Sequence, residues 1–103
     1  MVYNNTMRFG RCLESVLGKP SKIALLRELL RTRKEYTGRE VARALKIVPT
    51  VLRPSLEELA GQGVILARRA GRAILYRLNE DHVIVRDLLE PLYAGEGALL
   101  ERY

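Results

Sequence analysis

The hydrophobic period changes once along this chain, and that change limits the folds open to it. Up to Gly63 the apolar residues recur with helical spacing, three or four positions apart. Beyond it they fall in two β-rich segments, 64–69 and 73–78, with Ala70 and Gly71 between them as a turn. This second pattern is typical of a β-hairpin. We therefore expect a mainly α protein with one small β-hairpin.

Amphipathic segments with helical spacing precede the hairpin. Ser21 is placed to cap the second segment, and Gly61 with Gly63 supplies the end of the last. The third segment opens on a capping box, in which Thr37 and Glu40 can satisfy each other's backbone N–H groups. A tight turn then leads into the fourth segment. The predicted helices span residues 7–17, 21–32, 38–45 and 49–60.

A final helix is expected after the hairpin. Asn79 is a good N-cap for it, Pro91 should kink or end it, and Gly95 and Gly97 should interrupt any helix beyond the proline. With 103 residues the chain is long enough for one core. Two short helices joined by a tight turn and followed by a basic hairpin indicate a winged helix-turn-helix with flanking terminal helices.

Basic residues are concentrated in the first half of the chain. Residues 1–56 carry twelve Lys or Arg against four Asp or Glu, whereas residues 79–103 carry two against six. The formal net charge is +6 and the isoelectric point lies near 9.9. A basic body with an acidic end is the electrostatic pattern of a polyanion binder. The alternative is a solvated surface with scattered charge, and charge alone does not separate the two.

The capping box, the turn, the fourth helix and the hairpin together carry a family pattern. Its residues are Tyr36-Thr37-Gly38-Arg39-Glu40-Val41-Ala42, Leu45, Ile47, Leu52, Leu56, Leu59, Gly63-Val64, Gly71 and Leu75-Tyr76-Arg77-Leu78-Asn79. With them the segment from Ser21 to Tyr93 resembles the winged helix-turn-helix domains of ArsR-type regulators, including those found alone or ahead of a nucleotidyltransferase domain. The resemblance implies an N-terminal helical extension (1–20), the winged domain (21–79) and a C-terminal helix for dimerisation (80–103).

The same resemblance implies that the protein is a DNA-binding transcriptional regulator. Helix 49–60 would enter the major groove, and the 64–78 hairpin would lie on the adjacent backbone of double-stranded DNA. Arg53 is then the candidate for a bidentate contact to guanine, and Thr50 for a phosphate or a thymine methyl. The candidates for phosphate contacts are Arg39, Arg43, Lys46, Arg68, Arg69 and Arg72. Each of these side chains can instead be a solvated surface residue.

The fourth helix also departs from the family pattern. Val48 stands where a serine usually caps this helix, and Pro54 stands where a polar residue is common. A proline deep in a helix costs about 3 kcal/mol, and less if the cap moves to Thr50. The groove face is therefore apolar and poor in hydrogen-bond donors. We expect phosphate contacts and DNA shape to contribute more than base contacts.

The terminal segments carry more apolar residues than the winged core needs. A twofold homodimer is the simplest way to bury them, and the alternative is that they complete the core of a monomer. The predicted dimerisation residues are Phe9, Leu13, Leu17, Leu88, Leu89 and Leu92.

The chain offers little for catalysis or metal binding. Cys12 is the one cysteine and His82 the one histidine, so the sequence cannot supply the soft ligands of a structural zinc site. Cys12 is best interpreted as a small buried hydrophobe. Asp81, His82 and Asp87 have donors for a hard metal but more simply belong to a helix start. We expect no enzyme activity, no cofactor and no metal.

The sequence also contains no apolar run of the length that a membrane span needs, and its first twenty residues show no signal-peptide pattern. A cytoplasmic protein is expected. Two functions remain open at this stage. One is the dimeric DNA-binding regulator, and the other is a non-catalytic interaction module for a protein partner such as a nucleotidyltransferase, which the apolar fourth helix favours.

Overall fold

The computed structural model describes residue 14 and residues 16–102, and it has the winged helix-turn-helix architecture that the sequence predicts. The helices are α1 (Pro20–Thr32), α2 (Gly38–Leu45), α3 (Pro49–Gly61) and α4 (Glu90–Arg102), with a π-helical segment at Val85–Leu89 directly before α4. The strands are β1 (Tyr36–Thr37), β2 (Ile65–Ala70) and β3 (Ala73–Leu78). The predicted helix 7–17 lies largely outside the described residues.

Helix α1 begins one residue earlier than the sequence predicts. Its first residue is Pro20, which suits that position because the ring presets φ and the missing N–H needs no partner there. Lys19 is the N-cap, so the prediction that Ser21 caps this helix was wrong. The Ser21 hydroxyl instead forms a 2.7 Å hydrogen bond with the hydroxyl of Ser55 on α3.

The capping box at the start of α2 is confirmed. The Glu40 N–H donates to Thr37 Oγ1 at 3.1 Å, and the Thr37 N–H donates to Glu40 Oε1 at 2.8 Å. The helix ends at Leu45, and Lys46 adopts the left-handed conformation with φ 58°. Both ends of α2 are therefore determined locally, and the turn after Lys46 delivers the chain directly into α3.

Helix α3 starts at Pro49 with Val48 as its N-cap, so the cap does not move to Thr50. Pro54 is accepted inside the helix, although it has no N–H to donate to the Thr50 carbonyl. The helix persists because its opposite face is deeply buried: Leu52 and Leu59 are fully inaccessible to solvent. Tertiary packing here outweighs the local cost of the proline.

The glycine end of α3 is confirmed as well. Gly63 has φ +78°, its N–H donates to the Ala60 carbonyl, and the Val64 N–H donates to the Leu59 carbonyl, both at 3.0 Å. This pair of bonds is a Schellman motif, which needs a residue with positive φ at the position that Gly63 occupies.

The hairpin belongs to a three-stranded antiparallel sheet with strand order β1-β3-β2. Tyr36 of β1 pairs with Tyr76 of β3, a pairing that was not predicted from the sequence. The hairpin turn consists of Gly71 and Arg72, one position later than expected. Gly71 has φ +63°, the conformation that a type II′ turn requires at its first residue.

The start of the last helical region also differs from expectation. Asn79 does not cap it; its Nδ2 donates to the Gly63 carbonyl at 2.9 Å and ties the end of β3 to the end of α3. His82 takes the capping role, since its Nδ1 accepts from the Ile84 N–H at 3.1 Å. Asn79 Oδ1 still accepts locally, from the Asp81 N–H at 3.3 Å, so the prediction failed because residues 80–82 form a turn and the helical region begins only at Val83.

Pro91 neither ends this region nor limits α4. In the π-helical segment the Glu90 N–H donates to the Val85 carbonyl, so the wide turn closes just before the proline. Pro91 then follows the wide turn directly, so the N–H that it lacks falls at the junction between the π-helical segment and α4, where the regular hydrogen-bond pattern is already interrupted. The expected break at Gly95 and Gly97 is also absent, because α4 continues to Arg102.

One hydrophobic core joins all of these elements. Leu89 is fully buried in it, which removes this residue from the exposed surface on which the predicted dimer was based. Leu17 packs against the same core and is partly buried, while Phe9 and Leu13 lie outside the described residues. The buried apolar residues are Val16, Leu25, Leu26, Leu29, Leu30, Val41, Ala42, Leu52, Leu56, Leu59, Val64, Ile65, Leu78, Val85 and Leu89.

We predict that Thr37→Ala lowers the free energy of unfolding by about 1 kcal/mol, because it removes the side-chain acceptor of the capping box. Thr50→Ala is the matched control: Thr50 is exposed in the first turn of α3, and its loss should change stability by less than about 0.5 kcal/mol. Urea denaturation measures both. Equal losses in the two variants would contradict the role assigned to the capping box.

Candidate nucleic-acid interface

The exposed side of α3 is the centre of the candidate interface. Because Leu52, Leu56 and Leu59 turn inward, Thr50 and Arg53 are left in solvent. Arg53 is the one basic residue within this helix, so its guanidinium group is the main hydrogen-bond donor that this side of α3 offers.

The basic side chains around α3 are exposed and available. Arg39 and Arg43 project from α2, and Lys46 lies in the turn between the two helices. Six of the predicted contacts form no ion pair and no side-chain hydrogen bond within the part of the chain that the structure describes. They are Arg39, Arg43, Lys46, Arg53, Arg69 and Arg72. An unpaired arginine or lysine can bind a phosphate without first giving up a protein partner.

Arg68 differs from the other predicted contacts because it already has an anionic partner. Its Nε and Nη2 donate to the two carboxylate oxygens of Glu35 at 2.7 and 2.8 Å. This fork geometry holds the pKa of Glu35 below its usual range and raises that of Arg68, with the hydrogen bond as the main cause. The pair is therefore charged at neutral pH, and it breaks only as pH falls through the lowered carboxyl pKa.

Strand alternation separates Arg68 from Arg69. Arg69 pairs with Ile74 and shares the sheet face of Ile65, which is buried in the core. Arg68 pairs with Leu75 on the opposite face. The three hairpin arginines therefore lie in three different places. Arg69 is on the sheet face of Ile65, Arg68 is on the opposite face, and Arg72 is in the turn between the strands.

Buried polar contacts between α1 and α3 were not predicted from the sequence. Lys22 is only 4% exposed, and its Nζ lies 2.8 Å from Glu58 Oε1. Ser55, which is 1% exposed, shares its hydroxyl hydrogen bond with Ser21. The available signal was spacing: Lys22 lies three residues before Leu25 and so on the apolar face of its helix. These contacts fix the rotation of α3 about its own axis.

The acidic C-terminal segment pairs with α1 and its end. Arg27 donates to both carboxylate oxygens of Glu96, at 3.1 and 2.7 Å, and Arg33 lies 3.0 Å from Glu80 and 3.2 Å from Glu90. None of these acidic groups engages α2 or α3 among the contacts of the described residues. The segment therefore pairs with arginines of α1 and its end, and not with the basic side chains of α2 and α3.

The interaction of α4 with α1 also has an aromatic component. The Tyr93 hydroxyl donates to the Ile23 carbonyl at 3.1 Å, and the Arg27 guanidinium lies 5.5 Å from the centre of the Tyr93 ring. Beyond this anchor α4 exposes large apolar side chains: Leu92 is 51%, Leu99 55% and Leu100 72% exposed.

Two further features of the described residues bear on function. Nowhere in residues 16–101 do three or more His, Cys, Asp or Glu side chains cluster as a metal site would require. Over the same residues, no helix combines the length and apolar character needed to cross a membrane.

We predict that Arg68→Ala returns the Glu35 pKa toward its ordinary value, whereas Arg69→Ala leaves it lowered, because the two arginines lie on opposite faces of the sheet. The titration of the Glu35 carboxyl carbon by NMR measures this directly. Similar upward shifts in both variants would contradict the separation of the two arginines.

Comparisons with known proteins agree with this geometry. The sequence matches no protein-family model and no curated protein. Solved structures do match. The antimony-specific transcriptional repressor AntR is 28% identical, with 86% of this chain and 78% of that chain covered and a TM-score of 0.68.

Two other solved structures show the same fold at lower identity. The homodimeric winged helix-turn-helix DNA-binding domain of Mb0332 from Mycobacterium bovis, a possible ArsR-family transcriptional regulator, is 22% identical over 99% of this chain and 87% of that chain, with a TM-score of 0.70. The transcriptional repressor BigR from Xylella fastidiosa is 22% identical over 91% and 95%, with a TM-score of 0.65. The predicted resemblance to ArsR-type winged helix-turn-helix proteins is therefore confirmed at the level of the fold.

Proposed function

We propose that this protein is a DNA-binding transcriptional regulator without enzyme activity that acts in the cytoplasm. The observation that carries the proposal is a set of exposed basic side chains on α2, the turn after it, α3 and the hairpin, which have no partner among the described residues: Arg39, Arg43, Lys46, Arg53, Arg69 and Arg72. The similarity to AntR and BigR, both transcriptional repressors, and to the DNA-binding domain of Mb0332 supports it.

In the proposed complex α3 enters the major groove of double-stranded DNA and the β2–β3 hairpin lies on the adjacent backbone. Arg53 donates to a guanine edge, and Thr50 contacts a phosphate or a thymine methyl. Arg39, Arg43 and Lys46 bind phosphates on one side of the groove, and the hairpin binds them on the other.

The hairpin contributes mainly through Arg69 and Arg72 in this proposal. Arg68 was included in the predicted contacts, but two of its three donor nitrogens, Nε and Nη2, are already bound to Glu35. A contact from Arg68 to a phosphate would leave the Glu35 carboxylate without its partner, so the net gain is small. Arg68 thus moves from the central contacts to the edge of the proposed interface.

The regulator acts as a homodimer in this proposal. The exposed leucines of α4 supply an apolar surface. Of the predicted interface, Leu92 is one of these leucines and lies next to the anchoring Tyr93, and Leu88 lies in the π-helical segment just before α4. A twofold pair of α4 helices would bury them and present two copies of α3 to the DNA.

The second candidate function is an interaction module for a protein partner. One observation favours it: Val48 and Val51, at the start of α3, are 61% and 60% exposed, which is unusual for large apolar side chains. This function predicts no salt-dependent affinity for duplex DNA, so a salt titration of DNA binding separates the two.

We predict that the affinity for duplex DNA falls steeply with salt, with a slope of log K against log salt of about −0.9 for each phosphate that the protein neutralises. Arg72→Ala and Arg69→Ala should each flatten the slope and weaken all sequences alike. Arg53→Ala should cost about 1–3 kcal/mol on a preferred site and little on random duplex. Fluorescence anisotropy in a salt series measures these effects.

Arg86→Ala is the matched control, since Arg86 is an exposed arginine in the acidic C-terminal part and its removal changes the net charge equally. Arg68→Ala should lie closer to this control than to Arg72→Ala. If all four arginine-to-alanine changes outside α3 have the same effect, the basic residues act only through net charge and the proposed interface is wrong.

We predict that the parent protein is a dimer and that Leu92→Asp shifts it to monomer, because the aspartate places a charge in the apolar contact. Val51→Asp is the control, since Val51 is similarly exposed but lies on α3. Static light scattering measures the mass of each. A parent protein that stays monomeric at micromolar concentrations would rule out the dimer.

A further inference from the structure

The first turn of α3 presents an almost entirely apolar surface to solvent. Val48 is 61% exposed and Val51 is 60% exposed, three residues apart on the chain. Pro49 and Pro54 are also exposed, and neither has a backbone N–H to offer. Thr50 is the one exposed residue in this turn with a polar side chain.

This surface is bordered by positive charge. Lys46 precedes it by two residues in the turn, Arg53 follows it within α3, and Arg39 and Arg43 project from the neighbouring helix α2. An apolar patch with a rim of unpaired cations fits a ligand that has apolar groups between rows of anions. The major groove of DNA has this arrangement, with base edges between two phosphate backbones.

Thymine supplies the apolar group that such a surface needs. Of the four bases, only thymine carries a methyl group in the major groove, attached to C5. Most of the other groups there are hydrogen-bond donors and acceptors, which a valine or proline would bury without a partner at a cost. An apolar first turn therefore selects for thymine by contact and against the other bases by desolvation.

We propose that Val48 and Val51 contribute to the sequence preference of this protein, beside Arg53, by packing against the C5 methyl groups of thymines in the major groove. This inference rests on the proposed DNA-binding function and adds the chemical basis of its specificity. Apolar contacts here add to the single guanine contact assigned to Arg53 in the donor-poor α3, while Arg39, Arg43 and Lys46 supply sequence-independent affinity.

The test removes the methyl group of thymine and leaves its base pairing unchanged. A duplex is first selected by the parent protein from a random pool, and each of its thymines is then replaced in turn by uracil, which lacks the methyl. The parent should lose affinity by about 4-fold for each methyl group that it buries. The affected positions should form one cluster in each half-site.

Variants of the chain then assign the effect to its residues. Val51→Ala and Val48→Ala should each bind the thymine duplex more weakly and abolish the response to uracil at one or more positions. Val83→Ala is the matched control, because Val83 is 53% exposed but lies outside the interface, and it should keep the full response. If the valine contacts the methyl group, the effect of replacing thymine by uracil disappears in the valine variant. If uracil acts through DNA shape, the effect is the same in the variant and the parent.

Two results overturn the inference, and they have different meanings. If the parent binds duplex DNA with a steep salt dependence but equally well with thymine or uracil at every position, the methyl contact is wrong and DNA binding stands. The inference is equally wrong if both valine variants keep the full uracil response. If no duplex is bound with a salt-dependent affinity, the proposed function and this inference fail together, and the apolar turn belongs to a protein partner.

Discussion

The packing of α3 against α1 is the constraint on which the rest of this structure depends. Leu52 and Leu59 are buried on one side of α3, and this burial decides which residues the other side exposes. The rotation of the helix is further fixed by the Ser21–Ser55 hydrogen bond and the Lys22–Glu58 ion pair. An almost fully buried lysine is costly unless it is paired, so the ion pair favours one rotation over its neighbours.

That rotation explains how α3 accommodates a proline and still presents one exposed face to solvent. Pro54 removes one backbone hydrogen bond, but it lies on the exposed side, where its ring displaces no core residue. The same side presents Val48 and Val51 at the start of the helix. The helix is therefore stabilised by its buried face, and its exposed face is left free to specialise toward apolar contacts.

The sheet imposes a second constraint, on the wing. Because β3 lies between β1 and β2, the hairpin is joined to the chain segment just before α2. Glu35, next to β1, reaches Arg68 across the sheet and neutralises it. A single acidic residue thus engages one hairpin arginine, and strand alternation assigns Arg69 to the other face, where Glu35 does not reach it.

Features set by local sequence were predicted well, and features set by distant contacts were not. The sequence predicted α2 over its observed range, and α3 to within one residue, because a capping box and a glycine stop act locally. It missed β1, a strand defined only by pairing with β3, and it misplaced Asn79, whose partner is the distant Gly63 carbonyl. Leu89 was assigned to a dimer surface, because periodicity marks an apolar face without saying what covers it.

In the candidate site, too, the features set by local sequence were predicted and those set by distant contacts were not. Exposure of the predicted basic residues followed from their positions outside the apolar stripes, whereas the Glu35–Arg68 pair depends on strand register and could not be inferred from spacing.

In the proposed complex α3 and the hairpin turn, rather than α1 or α4, lie against DNA. Amide chemical shifts of the ¹⁵N-labelled protein, recorded as duplex is added, test this most directly. We predict the largest changes at Thr50, Val51, Arg53, Gly71 and Arg72; changes confined to α1 and α4 would contradict the proposed orientation on DNA.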